Sequence, residues 1–222
     1  MQPTRAAGSR RRQKKSNSLC IVLLMCAVLM ACNKISSPED YVHWVNSEDN
    51  GLTNTKYVNG LRLTVKYLPS EYMAYQELKN LGKYSAGCRD SIVGMYRKNL
   101  YFLLTLAPDE RKAAGGDVVM DNTRSYSDYV DKVMMMNFAI EHYIAIVVDG
   151  RKIRPILATV ENTYGLTRYR NIVCVFDRRN NALLQSADSY DFEFNDELFM
   201  TGISHFIFHK QDIDDIPQMT FL

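Results

Sequence analysis

The sequence has none of the short motifs that mark common enzyme chemistry. G-x-S-x-G, a Walker-type phosphate loop, H-E-x-x-H and G-x-G-x-x-G are all absent. The residues therefore single out no catalytic group, no metal ligand and no cofactor site. The sequence leaves an enzymatic role open and favours a non-enzymatic one.

Acidic residues are absent from the first 31 positions, whereas six of the 27 basic residues lie there. An apolar run, residues 19–32, follows the basic segment. A basic segment ahead of an apolar one is typical of a secretory signal. Because the run is shorter than the roughly 20 apolar residues that span a bilayer, we predict that residues 1–31 are a signal peptide.

Removal of residues 1–31 changes the charge balance. The remainder holds 21 basic and 25 acidic residues, a net charge of −4, whereas the whole chain carries +2. A mildly acidic chain lacks the excess of Lys and Arg that binds phosphate backbones. No nucleic-acid partner is therefore expected.

Leu29-Met30-Ala31-Cys32 resembles the lipobox of bacterial lipoproteins, with an aliphatic residue three before the cysteine and a small residue directly before it. The resemblance implies that Cys32 becomes the N-terminus and carries a diacylglycerol and a further acyl chain such as palmitate, which together anchor stably. We therefore expect a cell-envelope lipoprotein, in the outer membrane, with residues 32–36 as a short tether. The alternative is an ordinary signal peptide, or an uncleaved anchor, in which Cys32 is incidental.

Cysteine is scarce in the predicted mature chain. Cys20 and Cys26 leave with the signal and Cys32 carries lipid, so Cys88 and Cys174 remain. This number excludes a disulfide framework. One bridge between the two stays open, but Cys174 lies in an apolar stretch where a buried free thiol behaves as a small hydrophobe.

Two stretches predict β-hairpins with tight type I′ turns. Residues 52–68 surround Asn59-Gly60, and residues 138–161 surround Asp149-Gly150. Across a two-residue turn, the residue numbers of any two facing positions add up to the same total. Val58 faces Leu61 in the first hairpin, so Lys56 lies opposite Leu63. A charge on the apolar side predicts that the first strand is an edge strand.

Capping residues and periodicity predict the other elements. Helices are expected from Ser37 to Asn50-Gly51, from Ser70 to Gly82, within residues 83–98, and behind the capping pair Ser125-x-x-Asp128. Further strands are expected at residues 99–106, 167–177, 189–194 and 201–210, the first of them central because it is apolar on both faces.

This order of elements predicts the fold class. Two hairpins force antiparallel neighbours, and the last third of the chain has no crossover helix. We expect residues 37–222 to form a single globular α+β domain, with a mainly antiparallel sheet built from hairpins and helices packed on one face.

The histidines give weak signals. His205 and His209 would share a metal only on a helix, because in the predicted strand they lie about 13 Å apart. His142 is expected on the inner face of the second hairpin, opposite Leu157, as a core or edge residue. Neither pattern defines a catalytic site.

Residues 108–124 form a connection that is longer than most in compact domains, and glycines in it allow a change of shape. Loops of this kind are either binding surfaces or merely mobile. A second signal is Arg168-Tyr169-Arg170, a basic and aromatic cluster that could bind an anion. The residues predicted as a binding loop are Asp109, Glu110, Arg111, Gly115, Gly116 and Asp117.

Four segments carry a further resemblance. They are Asp40-Tyr41-Val42-His43-Trp44-Val45, Asn50-Gly51-Leu52, Tyr67-Leu68-Pro69-Ser70-Glu71-Tyr72 and Glu161-Asn162-Thr163-Tyr164-Gly165-Leu166-Thr167. These segments resemble parts of uncharacterised lipoproteins from Bacteroidetes-type bacteria, a resemblance that implies location and brings no known activity. The hypothesis is a membrane-anchored envelope lipoprotein that acts as a non-enzymatic binding or assembly accessory, with the membrane and an envelope protein as partners. An envelope hydrolase is the alternative.

Overall fold

The structure is a computed structural model that describes residues 37–82, 85–112, 116–120, 123–162, 167–197 and 199–219. These residues belong to one compact unit, which spans residues 35–222. The predicted signal peptide, the lipobox and Cys32 lie outside the described residues, so lipidation stays a prediction. Among the helices of the described ranges, none is both long and apolar enough to cross a bilayer.

The helices are α1 Pro38–Val45, α2 Ser70–Leu81, α3 Ala86–Tyr96, α4 Tyr126–Phe138, α5 Ala182–Ser186 and α6 Lys210–Asp214, with 3-10 turns at Glu48–Asn50 and Ile140–Tyr143. The strands are β1 Thr53–Val58, β2 Leu61–Leu68, β3 Asn99–Pro108, β4 Ile144–Val148, β5 Arg151–Ile153, β6 Leu157–Val160, β7 Arg170–Asp177, β8 Ser189–Asp196 and β9 Gly202–His209. The predicted α+β fold class is confirmed.

The strands form two antiparallel sheets, in the orders β1-β2-β3-β7-β6 and β5-β4-β8-β9. The chain passes from one sheet to the other around Pro155, between β5 and β6. Proline has no backbone N–H to donate to a strand ladder. The prediction of one continuous strand over residues 151–161 is therefore wrong.

Both hairpin turns have the predicted geometry. Asn59 and Gly60 have φ of 48° and 86°, and Asp149 and Gly150 have φ of 50° and 73°. In the first hairpin Lys56 pairs with Leu63 and β1 is an edge strand, as predicted. The second hairpin is shorter than predicted, because α4 ends at Phe138, a 3-10 turn covers residues 140–143, and β4 begins only afterwards.

The two sheets face each other across an aromatic core centred on Phe102 of β3. Its ring centroid lies 5.4 Å from that of Phe192 and 5.2 Å from that of Phe208, both on the four-stranded sheet. Tyr67 and Phe176, at 5.4 and 6.0 Å, complete the contacts within its own sheet. Tilted and edge-to-face rings at these distances are favourable beyond the area they bury.

The helices have different roles in this framework. Ala74 and Leu78 of α2 pack against Ile92 and Val93 of α3, outside the five-stranded sheet. Met135 and Met136 of α4 instead join the core that the two sheets share. The short helix α5 was not predicted.

The first helix begins as predicted and ends early. Ser37 Oγ accepts a hydrogen bond from the Asp40 N–H at 3.1 Å. Ser47 then caps a separate 3-10 turn, and Asn50 Nδ2 donates to the Trp44 carbonyl at 2.6 Å. The predicted helix end at Asn50-Gly51 is therefore wrong, because this side-chain network starts a new turn after Val45.

A matched pair of glycine substitutions tests the first turn. Gly60→Ala should lower the free energy of unfolding by about 1–2 kcal/mol, because an L-residue is strained at positive φ. Gly94→Ala, within α3, should raise it by about 0.5–1 kcal/mol. Neither added Cβ would meet an atom within 4 Å, so backbone conformation alone sets the sign. Urea unfolding measures both changes, and an unchanged midpoint for Gly60→Ala would contradict the turn.

Candidate functional site

One row of residues crosses the outer face of the five-stranded sheet at the end that carries the Asn59-Gly60 turn, here called the turn end. Tyr57 pairs with Arg62, and Arg62 pairs with Ala107. These side chains point outward because their strand neighbours, such as Leu106, point into the core. The small Ala107 side chain, only 2% exposed, lies at the floor of a space bounded by longer side chains.

This space is a cavity of about 260 Å³, here called the cationic pocket. It contains two guanidinium groups, one ammonium group and one carboxylate. The carboxylate, on Glu110, lies 3.6 Å from Arg62 Nη2, and its side chain is 81% exposed. The local charge is therefore positive, although the predicted mature chain is acidic. The lining residues are Arg62, Ala107, Pro108, Glu110, Lys112, Arg168 and Tyr169.

Both arginines that line the cationic pocket have unused hydrogen-bonding capacity. In the described part of the chain, Arg62 Nε is buried without a hydrogen-bond partner. Within the same residues, no hydrogen bond or ion pair engages the Arg168 guanidinium. A buried donor without a partner costs free energy, so an acceptor that enters the pocket has donors to satisfy.

A larger groove of about 610 Å³ adjoins the cationic pocket and shares Lys112 with it. Its charges are mixed, and Met200 is exposed at its rim. Met200 has φ of 58°, a strained value for this residue. The groove is lined by Asn59, Lys112, Arg124, Asp128, Asp131, Lys132, Glu197 and Met200.

The first part of the predicted binding loop is fixed to the hairpin. Asp109 is buried, and its N–H donates to the Gly60 carbonyl at 2.7 Å. Arg111 donates from Nε and Nη2 to the two Asp109 carboxylate oxygens, both at 2.8 Å. The Arg111 guanidinium also lies 3.4 Å from the centre of the Tyr57 ring. Glu110 is thereby presented at the pocket.

The second part of the loop is also anchored. Asp117 accepts a hydrogen bond from Arg170 Nη2 at 2.6 Å. Val118 and Val119 are buried, and the Val118 N–H donates to the Arg168 carbonyl at 2.9 Å. Gly116 lies next to these contacts, and Gly115 lies outside the described residues. The described parts are therefore attached to the sheet and core.

The residues of the basic cluster Arg168-Tyr169-Arg170 have two different roles. Arg168 and Tyr169 line the cationic pocket. Arg170 instead pairs with Asp117 and holds the loop. The sequence identified the basic cluster and the loop separately, but it gave no sign that antiparallel pairing of β3 with β7 brings them together.

A polar row lies directly beside the pocket row on the same face. Thr55 and Thr64 share a hydrogen bond of 3.0 Å between their hydroxyl groups. Thr105 Oγ1 donates to Asn171 at 2.8 Å, and Asn171 Nδ2 donates to Glu161 at 2.8 Å. These side chains therefore extend a hydrogen-bonding surface away from the pocket.

The outer face of the four-stranded sheet carries a second polar cluster. His205 Nδ1 lies 2.9 Å from Asp191 Oδ2, and Lys152 Nζ donates to Glu193 at 2.6 Å. The strand neighbours of this pair are Glu193 and Ile207, which provide no hydroxyl or thiol. A carboxylate–imidazole pair can exchange protons, but a third group would be needed for nucleophilic catalysis.

The predicted strand for His205 and His209 is confirmed, because both lie on β9. His142 lies in a 3-10 turn with an exposed ring, so its predicted position opposite Leu157 is wrong. Among the described residues, no three His, Cys, Asp or Glu side chains come together in a way that could hold a metal ion.

The two described cysteines are free. Cys174 lies in the core, as its apolar neighbours indicated, and burial raises the pKa of its thiol. A buried thiol with a raised pKa stays protonated and is a poor nucleophile.

The first helix lies at the opposite end of the sheet from the pocket, here called the helix end. Asn46, directly after α1, accepts a hydrogen bond from Lys66, near the end of β2. Tyr41 and Val45 of α1 pack with Met219 at the same end. β2 runs from Leu61 at the turn end to Leu68 at the helix end, about 23 Å at roughly 3.3 Å per residue.

Comparison with known proteins gives little further information. No known protein family matches the chain, and no curated protein matches it. Among solved structures, the chain is similar to a protein of unknown function from Burkholderia pseudomallei. The sequence identity is 12%, the match covers 80% of this chain and 87% of that chain, and the TM-score is 0.36. The similarity brings no activity or ligand to this chain.

The buried Asp109 gives a pH test of the loop anchor. Hydrogen bonds from Arg111 lower the pKa of this carboxyl to about 2, against about 3.9 in an unfolded chain. The depressed folded pKa means that the stabilisation is complete above about pH 4 and is lost as the pH falls toward 2.

Asp109→Asn should therefore lower the urea midpoint clearly at pH 6 and only slightly near pH 2. Glu110→Gln, a neighbouring change at an 81% exposed side chain, should have little effect on the midpoint at either pH. If Asp109→Asn lowered the urea midpoint by the same amount at both pH values, the ion pair would not anchor the loop.

Proposed function

We propose that this chain is a membrane-anchored lipoprotein of the cell envelope and that it acts as a non-enzymatic binding accessory. The observation that carries the proposal is the position of the turn end. The cationic pocket, the groove and the anchored loop all lie there, whereas α1, which follows the predicted tether, lies at the helix end.

Chain lengths support this arrangement. The tether, residues 32–36, reaches at most about 17 Å when fully extended. A lipid on Cys32 would therefore keep α1 near the bilayer. The sheet would then hold the cationic pocket about 23 Å further along β2. In this orientation the turn end is available to a ligand or an envelope protein and is not pressed against lipid headgroups.

The turn end presents exposed side chains on ordered segments, which supports a binding role. Glu110 and Met200 are exposed on segments that internal hydrogen bonds hold in place. Asp196 orders the turn before β9 by accepting hydrogen bonds from the Phe199 and Thr201 N–H groups at 2.9 and 2.8 Å. A surface that is already ordered loses less conformational entropy on binding.

An envelope hydrolase is the other proposal, and its support is the His205–Asp191 pair. That pair lies on an open sheet face, and its strand neighbours Glu193 and Ile207 bring no hydroxyl or thiol. The cationic pocket is a partly open concave site with unpaired donors, so a binding role is better supported.

A substitution at the predicted lipidation site tests the anchor. Cys32→Ser should abolish incorporation of a labelled fatty acid in cells and leave an unprocessed precursor, because the thiol receives the lipid. Cys88→Ser is the matched control and should keep the label, since Cys88 lies within the folded unit. Equal labelling of Cys32→Ser and the parent chain would overturn the lipoprotein proposal.

A further inference from the structure

We infer that the cationic pocket binds the oxyanion group of a small organic ligand, a carboxylate or a phosphate monoester. This inference rests on the proposed binding role, and it is independent of lipid attachment. The ligand's oxyanion would lie above Ala107, between Arg62 and Arg168, with Lys112 at the side shared with the groove.

The donor set matches an oxyanion. Guanidinium groups present paired N–H donors that suit carboxylate and phosphate oxygens, and such charge-assisted hydrogen bonds are stronger than neutral ones. Arg62 and Arg168 line the pocket from different segments, β2 and the residues before β7. The buried Arg62 Nε has no partner among the described residues. An arriving anion would therefore engage donors that are already positioned and incompletely used.

Glu110 shows how a carboxylate interacts with this pocket. Its oxygen lies 3.6 Å from Arg62 Nη2, a distance that allows attraction but is too long for a good hydrogen bond. Because the side chain is 81% exposed, it can turn into solvent at small cost. Glu110 is thus a weak internal competitor for the ligand's anionic group.

The size of the cationic pocket and the residues around it indicate the class of ligand. A cavity of about 260 Å³ is just below the usual range for small-molecule sites, so it suits one charged group with part of its carbon skeleton. Tyr169 provides a partly exposed ring at the pocket. The neighbouring polar row ends at Asn171 and Glu161, which can pair with ligand hydroxyl groups. Hydroxylated acids and sugar phosphates fit this chemistry.

Isothermal titration calorimetry on the detergent-solubilised full chain tests the inference. The probes are glucuronate, glucose 6-phosphate and neutral glucose at low ionic strength, where charge interactions are least screened. We expect saturable binding of at least one acidic probe and none of glucose. The stronger acidic probe distinguishes a carboxylate site from a phosphate site.

Three variants locate the binding. Arg168→Gln should weaken binding of the acidic probe by about tenfold or more, since a charge-assisted donor pair is lost. Glu110→Gln should strengthen binding by about two- to fivefold, as expected for removal of an exposed competing carboxylate. Arg151→Gln, a matched change at the first residue of β5 in the other sheet, should leave binding unchanged.

The outcomes separate this inference from the broader proposal. Absence of saturable binding by both acidic probes would overturn the oxyanion site, as would equal binding by the parent chain and Arg168→Gln. Fatty-acid labelling of the same preparation reports the lipid anchor independently. Thermal unfolding of each variant, unchanged by Arg168→Gln, would show that lost binding is not lost folding.

Discussion

Contact between Phe102 and the facing sheet is the interaction on which the rest of this structure depends. The ring contacts Phe192 and Phe208 across the core and Tyr67 and Phe176 beside it. Truncation of a buried Phe typically costs about 3–5 kcal/mol, a large part of the 5–15 kcal/mol that stabilises a typical domain. Two sheets joined by a strand switch at Pro155 need such a shared centre, because neither could bury its inner face alone.

The aromatic core also determines which side chains lie on the outer face of the five-stranded sheet. Side chains alternate along a strand, so the inward positions of Phe102, Leu104 and Leu106 place Thr105 and Ala107 on the opposite face, where Ala107 lies beneath the pocket. A shift of one residue in the register of β3 would turn the inward side chains outward and the outward ones inward. The floor of the cationic pocket is therefore fixed by the aromatic core beneath it, and Arg62 is held outward by the inward position of Leu63 in the same way.

The anchored loop extends this order beyond the strands. Asp109 and Arg111 attach its first part to the hairpin turn and to Tyr57, and Asp117 attaches its second part to Arg170. These contacts place Glu110 beside the pocket. The site is consequently a product of the sheet register and of a loop held by charged pairs.

Local signals in the sequence were sufficient for much of the fold. Asn59-Gly60 and Asp149-Gly150 require positive φ, and the Ser37 and Ser125 caps satisfy free N–H groups, so these features could be predicted from a few neighbouring residues. The break at Pro155 was readable as a proline inside a predicted strand, but the passage of the chain to a second sheet was not, because it depends on pairing with distant strands.

The candidate site was also predicted only in part, because sequence patterns do not show which distant strands pair. The sequence identified the loop around Asp109 and the basic cluster around Arg168, each by composition. It did not reveal that Arg62 and Ala107 join them, because that neighbourhood depends on pairing between strands that are far apart in the chain. Nor could composition show that Val118 and Val119 are buried in the core.

We propose that the tethered chain holds the turn end away from its membrane. Energy transfer to acceptor lipids in vesicles tests this claim most directly, with the lipidated chain reconstituted and one fluorophore attached to a cysteine. Labels at Glu39→Cys, on α1, and Glu110→Cys, at the pocket, would be compared in a Cys88→Ser background. We predict strong transfer from position 39 and clearly weaker transfer from position 110. Equal transfer, or stronger transfer from position 110, would contradict the proposed orientation.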